Sequence, residues 1–247
     1  CWMMYRAGLR QIALARQQEN FIAAVSHELK TPLTSIRMYG EMLSAGWVGE
    51  DKRGQYYRFI QDEGERLSRL IDQVLQLAKL KRTGQLLARQ NLSLVQVEQL
   101  FRAKIVPYLE RQACHWHWLC PEELGQQEIQ LDPDAMVQIL LNLAENAVKF
   151  SAANGSCELR LHWSRHDKHL LLRVSDCGPG LNPRQLEQIF QPFFRGEDEL
   201  QRRTQGTGLG LALVDQLCQA QGIQISAANR PATAEHPGGA EFTLRFA

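Results

Sequence analysis

The chain has 247 residues, enough for one or two domains. Hydrophobic residues make up 44% and charged residues 22%, a globular composition that excludes wholesale disorder and collagen-like or low-complexity readings. Lysine and arginine number 28 against 27 acidic residues, and a net charge of +1 carries no basic excess for nucleic acid, so no nucleic-acid partner is expected.

The chain opens on an apolar stretch, Cys1-Trp2-Met3-Met4-Tyr5, followed by Arg6 and Arg10. This reads either as the tail of a membrane-spanning helix with positive charge on its cytoplasmic side or as an arbitrary boundary. No run reaches the ~18 apolar residues that a bilayer span needs. From about residue 9 to 82 the pattern is helical. Phe21, Val25, Leu29, Pro32, Ile36 and Leu43 recur mostly at three- and four-residue steps, and Ile60, Leu67 and Val74 fall seven apart with Leu70 and Leu77 between them. Gly46, Gly49 and Gly54 break the pattern and Asp51 is placed to cap the second helix, so the segment predicts an antiparallel hairpin. One hairpin has little core of its own. Its heptad-like seam implies pairing with a second copy into a four-helix bundle, the alternative being a hairpin packed on the rest of the chain.

Lys81-Arg82-Thr83-Gly84 is a polar break, after which helix and strand mix. A helix is expected from Asn91-Leu92-Ser93 to about Arg111 and a strand at His115-Trp116-His117-Trp118. A further helix runs from Asp132-Pro133 to about Phe150, with Asp as cap and Pro in the first turn. Strands near 156–164, 168–175, 223–228 and 240–246, with helices near 183–190 and 209–221, complete an α+β sandwich of one helical layer on one sheet. The six cysteines, Cys1, Cys114, Cys120, Cys157, Cys177 and Cys218, contain no CxxC pair and read as reduced thiols in a cytosolic setting. The two histidines at 115 and 117 share one strand face without a further ligand set, which favours surface packing over a metal site.

Four constellations carry chemistry. His27 lies about 200° from Val25 and Leu29 on a helical wheel, so it faces solvent while they face the seam. Glu28 is beside it, Thr31 is one turn on, and Pro32 is expected to bend the helix. An exposed imidazole beside a carboxylate is a nucleophile with a candidate base. A zinc-protease helix would need a second histidine at 31, which is Thr. Asn142, Glu145, Asn146 and Lys149 fall within roughly 100° on one helix face and suit Mg²⁺ and phosphate oxygens. The strand Leu170-Leu171-Leu172-Arg173-Val174 delivers Asp176 to the turn Cys177-Gly178-Pro179-Gly180, where a carboxylate can accept from the amino group of a base. Gly206-Thr207-Gly208-Leu209-Gly210 opens a helix and suits phosphate, although its spacing is not a dinucleotide fingerprint and no Walker lysine follows. The polar stretch carrying Arg202 and Arg203 reads as a lid.

The order of these elements resembles the catalytic core of the sensor histidine kinases of two-component systems, over about residues 15 to 247. Ser26-His27-Glu28-Leu29-Lys30-Thr31-Pro32-Leu33 resembles the phosphoacceptor box and Asn142 to Phe150 the asparagine box. Asp176 to Gly180, Phe190 to Arg195 and Gly206 to Gly210 resemble the first glycine, phenylalanine and second glycine boxes. The resemblance implies a stub over 1–14, a dimerisation and phosphotransfer domain over 15–82 and an ATP-binding domain over 83–247. It implies that His27 takes the γ-phosphate of ATP, with Glu28 orienting the imidazole or accepting its proton. Asn142 and Asn146 would bind Mg²⁺ and phosphate, Lys149 would contact phosphate, and Phe150 would pack at the nucleotide. Asp176, with Gly178 and Gly180, would recognise adenine, and Arg195 would steady the transferring charge. Gly206, Thr207, Gly208, Leu209 and Gly210 would close over the triphosphate. It further implies transfer to the receiver domain of a response regulator and a reverse phosphatase duty for Glu28 and Thr31. The setting implied is the cytoplasmic part of an inner-membrane sensor, anchored upstream of residue 1. Cys177 is unusual in its box and reads as a tolerated small side chain or a redox-sensitive thiol. The rival readings are an ATPase of the same nucleotide fold and a non-catalytic dimeric scaffold.

Overall fold

Apolar residues at helical spacing fold the start of the chain into two long helices, α1 (Trp2–Ser44) and α2 (Glu50–Thr83). The computed structural model describes residues 2–83, 87–151, 156–195, 207–232 and 238–246. Gly46 ends α1 with φ of 69°. Gly46 N–H donates to the Leu43 carbonyl at 3.2 Å and Trp47 N–H to Met42 at 3.1 Å, the paired closure that a left-handed residue after a helix makes possible. The second helix starts earlier than the sequence predicts: Asp51 lies inside its first turn and not ahead of it, because Lys52 N–H already reaches the Gly49 carbonyl at 3.0 Å. Glu50 and Asp51 there oppose the helix dipole. Gly54 continues the helix instead of breaking it, and α1 runs on through Pro32. Near the turn Tyr39 packs its ring on Tyr56 and Phe59, with centroids 5.5 and 5.3 Å apart. Ile22, Leu33, Tyr57, Ile71 and Leu75 stay exposed on the hairpin.

The chain divides into two compact units, Cys1–Gln76 and Leu77–Ala247. In the second, the expected helix over 91–111 is replaced by three elements. Strand β1 (Gln90–Ser93) pairs antiparallel with β3 (Glu128–Leu131). Ser93 and Gln96 form a reciprocal capping box that starts α3 (Leu94–Lys104). The helix then breaks at Ile105 and resumes as α4 (Val106–Arg111), because Pro107 has no N–H to give and its ring crowds the preceding turn. Strand β2 (His115–Leu119) and the short α5 (Glu122–Gly125) follow. Asp132 caps α6 (Pro133–Ser151), its Oδ1 accepting from Ala135 N–H at 3.0 Å. The remaining elements are β4 (Glu158–His166), β5 (His169–Ser175), α7 (Pro183–Gln188), α8 (Gly210–Gln221), β6 (Gln224–Arg230) and β7 (Gly239–Phe246).

The five-stranded sheet has order β2-β4-β5-β7-β6, parallel at β2/β4 and antiparallel elsewhere. Alternation decides its faces. Leu159, Leu161, Trp163, Leu172, Val174, Phe242 and Leu244 are buried on one face beneath the helices. On the opposite face Arg160 pairs with Glu158 and Arg173 with Glu241. This is the expected sandwich of one helical layer on one sheet. Trp116 meets the Phe101 ring edge-on and Trp118 packs tilted against it, with centroids 5.6 and 5.3 Å away. His115 and His117 point the other way and are exposed, His117 Nε2 lying 3.1 Å from Glu158.

The reading of the cysteines as reduced thiols is corrected at one pair: Cys114 and Cys157 form a disulfide. The parallel register matches His115 with Glu158, so the residues just before each strand lie abreast, with Cα atoms 4.6 Å apart. A separation of 43 residues hid the pairing from local spacing. Cys120, Cys177 and Cys218 are thiols. Burial, with the nearby Asp215 charge adding to it, pushes the Cys218 thiol up to about 12.

Candidate functional site

His27 sits on the outer face of α1 with its side chain 79% exposed, as the helical-wheel position requires. Its Nδ1 lies 3.8 Å from Glu28 Oε1, an electrostatic neighbour and not a hydrogen bond. The other carboxylate oxygen is turned to the second helix: Arg66 Nη2 is 3.5 Å from Glu28 Oε2, while Arg66 Nη1 is 3.5 Å from Glu63 Oε2. All three side chains are largely sheltered, so the guanidinium neutralises two acids where water screens poorly. Oε1 is thus the carboxylate oxygen beside the mostly exposed imidazole. Thr31 Oγ1 donates to the His27 carbonyl at 3.3 Å, which keeps its hydroxyl one turn from the imidazole on an exposed face. Sequence reasoning missed Arg66 and Glu63. Their own three-residue spacing is visible, but the pairing with Glu28 exists only once the hairpin closes.

In the second unit, α6 gathers the other candidates. Asn142 is buried: its Nδ2 donates to the Gln138 carbonyl at 2.8 Å, and its Oδ1 lies where a Cβ on Gly210 would come to 3.0 Å. It therefore joins α6 to the first turn of α8. One turn on, Asn146 Nδ2 is buried with no hydrogen-bond partner among the described residues. Lys149 Nζ sits 4.7 Å from the Phe150 ring centre, and Phe150 packs on the Asp176 turn, where a Cβ on Gly178 would be 3.4 Å from its Cβ.

Asp176 is 5% exposed. Its Oδ1 accepts from Gly178 N–H and Ala240 N–H, each at 2.9 Å, while Oδ2 accepts no hydrogen bond among the described residues. Burial raises its carboxyl above the ordinary aspartate range, opposed by those two N–H groups and by Arg230. Gly180, at φ of 76°, is seated against Asn229. Asn229 locks that turn by accepting from Leu181 N–H at 2.7 Å and donating to the Leu181 carbonyl at 2.6 Å. Asn229 was not singled out from sequence, since it comes from a strand 48 residues away.

The phenylalanine and second glycine segments are fastened together. Phe193 and Gly208 both take left-handed φ, 64° and 70°, and Phe193 N–H donates to the Gly208 carbonyl at 2.8 Å. A Cβ at Gly208 would stand 2.9 Å from the Phe193 backbone, so glycine is required there. Thr207 Oγ1 accepts from Leu209 N–H at 3.3 Å, and Leu209 is fully buried ahead of α8. Arg195 is exposed at the edge of the described segment. Gly206 and the lid stretch with Arg202 and Arg203 lie outside the described residues. The structure thus brings Gly210 to α6 through Asn142, and Asp176 and Gly178 to α6 through Phe150, while Gly208 is held by Phe193. A nucleotide fits these groups: an open carboxylate oxygen suits a base amino group, an orphaned amide N–H suits a phosphate oxygen, and an amide oxygen suits Mg²⁺ or its bound water.

A helical hairpin that exposes a histidine beside a charge-clamped carboxylate is followed here by an α/β sandwich, and both parts have counterparts among known proteins. Residues 17–83 match the His Kinase A (phospho-acceptor) domain, and residues 131–247 match the histidine kinase-, DNA gyrase B- and HSP90-like ATPase family. The chain is 31% identical over 216 residues to the sensor histidine kinase WalK of Bacillus subtilis, and 30% over 218 residues to the sensor protein kinase WalK of Staphylococcus epidermidis. Each alignment covers 87% of this chain and 35% of the relative, so the chain spans about a third of their length. Among solved structures, the histidine kinase ThkA in complex with the response regulator protein TrrA matches 96% of this chain and 63% of that chain, with a TM-score of 0.71 at 21% identity. Acinetobacter baumannii histidine kinase AdeS matches 90% of this chain and 97% of that one, with a TM-score of 0.67 at 21% identity. Full-length ShkA in complex with AMPPNP covers 92% of this chain and 45% of that one, with a TM-score of 0.59 at 27% identity. The chain belongs to the sensor histidine kinases of two-component systems.

Proposed function

We propose that this chain phosphorylates itself on His27 with ATP and passes the phosphoryl group to an aspartate of a response regulator receiver domain. The observation that carries the reading is the exposed imidazole whose Nδ1 faces Glu28 Oε1. With the ring proton on Nδ1, beside that carboxylate, Nε2 holds the lone pair. Nε2 attacks the γ-phosphorus, the N–P bond forms as the bond to the β,γ-bridging oxygen breaks, and ADP leaves. The phosphoimidazole then carries a positive ring, and Glu28 stabilises it or accepts the Nδ1 proton.

In the sandwich, Asp176 Oδ2 accepts from the adenine amino group, Gly178 and Gly180 admit the base edge, and Phe150 packs beside it. Gly206, Thr207, Gly208, Leu209 and Gly210 bear on the phosphates, with Lys149 and Arg195 supplying positive charge. Asn146, seconded by Asn142, would hold Mg²⁺, which when bound neutralises charge on the phosphate oxygens. Each would present Oδ1 to the metal; Asn142 Oδ1 is crowded by Gly210 and its Nδ2 is spent on Gln138, whereas the unpartnered Nδ2 of Asn146 is left to donate to a phosphate oxygen.

Residues 15–82 form the dimerisation and phosphotransfer domain and 83–247 the ATP-binding domain, with 1–14 as a juxtamembrane or signalling-helix stub. The exposed apolar residues of the hairpin pair with a second copy into a four-helix bundle. Glu28 and Thr31 also support the reverse reaction, in which the Thr31 hydroxyl positions a water on the phosphorylated regulator. The chain is read as the cytoplasmic part of a membrane-anchored sensor. Its relatives' greater length supports this. No helix of the described residues is long and apolar enough to cross a membrane.

A pulse–chase experiment tests the proposal. The chain is loaded with γ-labelled ATP and Mg²⁺, stripped of nucleotide and mixed with a panel of receiver domains. Label is expected to leave the chain and appear on a receiver as an alkali-labile acyl phosphate. A chain that never takes up label, or label that no receiver discharges, contradicts the reading.

A further inference from the structure

Three cysteines converge on the turn that carries Asp176. Cys114 and Cys157 are bridged where β2 and β4 begin side by side. Cys177 sits between Asp176 and Gly178, 1% exposed, and its Sγ donates to the carbonyl of Ser156 at 3.1 Å. Ser156 immediately precedes Cys157. The disulfide and the Asp176 turn are therefore joined by one peptide unit and one hydrogen bond. Cys114 is buried and Cys157 half-buried, so a small thiol or disulfide would meet the bridge at Cys157, whereas Cys177 is shielded. In a reducing compartment a disulfide is more often transient and sensing than structural.

We propose that Cys114 and Cys157 form a redox site whose state sets the nucleotide affinity of the Asp176 pocket through Cys177. The exchange needs only a glutathione-type disulfide. One cysteine thiolate attacks a sulfur of that disulfide, forming a mixed disulfide and releasing one glutathione thiolate. The second cysteine thiolate then attacks the protein sulfur, closing the Cys114–Cys157 bond and releasing the other. Two protein thiols are oxidised, one disulfide is reduced to two thiols, and the protons pass to solvent or the leaving thiolates. Closed, the bridge fixes Ser156 and gives Cys177 a stationary acceptor. Open, β2 keeps its ladder, the bond from His115 N–H to the Cys157 carbonyl and the Trp116 and Trp118 contacts with Phe101, and the strand start beside Ser156 loses its covalent tether. Asp176 keeps its bonds from Gly178 and Ala240, so the effect is graded. Reduction is expected to weaken binding about five- to tenfold, the lower end of coupling between sites, and bound nucleotide must resist reduction by the same factor.

The coupling rests on the nucleotide reading above, and the test separates the two. The full chain is equilibrated in glutathione buffers of graded ratio, with and without a non-hydrolysable ATP analogue, then alkylated and mapped by mass spectrometry. Calorimetry measures analogue affinity for the oxidised and reduced forms. The expected result is that Cys114 and Cys157 titrate together as one cross-linked peptide and that the analogue shifts their midpoint ratio. Cys177→Ala should titrate the same way without the shift. Cys114 and Cys157 alkylated at every ratio, or a bridge from Cys157 to Cys177, overturns the site. An unshifted midpoint despite analogue binding, or a shift that survives in Cys177→Ala, overturns the coupling. An analogue that binds neither form removes the nucleotide reading and the coupling with it, while the titration still decides the cysteine pair.

Discussion

Asp176→Asn tests the adenine-recognition role with little change of shape. Asn Oδ1 can still accept from Gly178 and Ala240 N–H, so the two bonds that fix the turn survive. What changes is the second position, where Oδ2 becomes an NH₂. A hydrogen bond to a charged acceptor contributes about 1.5–3 kcal/mol, and two opposed donors add the cost of leaving both unmatched. A total near ~3 kcal/mol is on the order of a hundredfold in affinity. The same NH₂ can donate to the 6-oxo group of inosine triphosphate, so the variant should prefer inosine over adenosine nucleotides, reversing the parent. Titration calorimetry with both nucleotides, beside a thermal melt, measures this. A loss of less than about threefold for the ATP analogue with the melt unchanged would refute the reasoning. The protonation sense is fixed too. Asp176 has its carboxyl raised above the ordinary 3.8 by burial, so in the folded protein it holds a proton more tightly than when unfolded. The ionised group therefore opposes folding above its raised pKa, and that opposition disappears as the pH falls toward 3.8. Nucleotide affinity runs the other way, weakening as pH falls through the raised value.

Gly208→Ala places a Cβ 2.9 Å from the Phe193 backbone at a left-handed φ, a strain of roughly 1–2 kcal/mol before any clash, so analogue affinity should drop about tenfold or more by calorimetry. Arg66→Gln leaves Glu28 and Glu63 without their shared counter-ion; autophosphorylation should slow about tenfold with KM for ATP unchanged, and Arg66→Lys should recover part of the rate in steady-state labelling. Asn229→Ala removes both partners of Leu181 at an exposed turn and should lower stability by about 1 kcal/mol in urea unfolding.

Local signals read well from sequence. The 100° step put His27 outward, Asp132-Pro133 marked the start of α6, alternation marked β2, and the apolar run Leu170-Leu171-Leu172 marked β5. What failed was long-range or weak. β1 and β3 have four residues each and exist only by pairing with each other. Pro107 was visible, but its consequence at Ile105 was overlooked beneath an apolar periodicity that continues across it. The Cys114–Cys157 bond follows from strand register, which spacing along the chain does not encode. For the same reason Arg66 and Asn229 were unread: each acquires its role from a partner on another element, and the sequence of either element alone contains no trace of it.

The central claim is that His27 receives the phosphoryl group, and the most direct measurement is autophosphorylation of this chain with γ-labelled ATP and Mg²⁺, compared with His27→Gln. The account predicts a label that is lost in acid, survives alkali and is absent from the variant. Label that persists at the parent level in His27→Gln, or an acid-stable label on the parent, would contradict it.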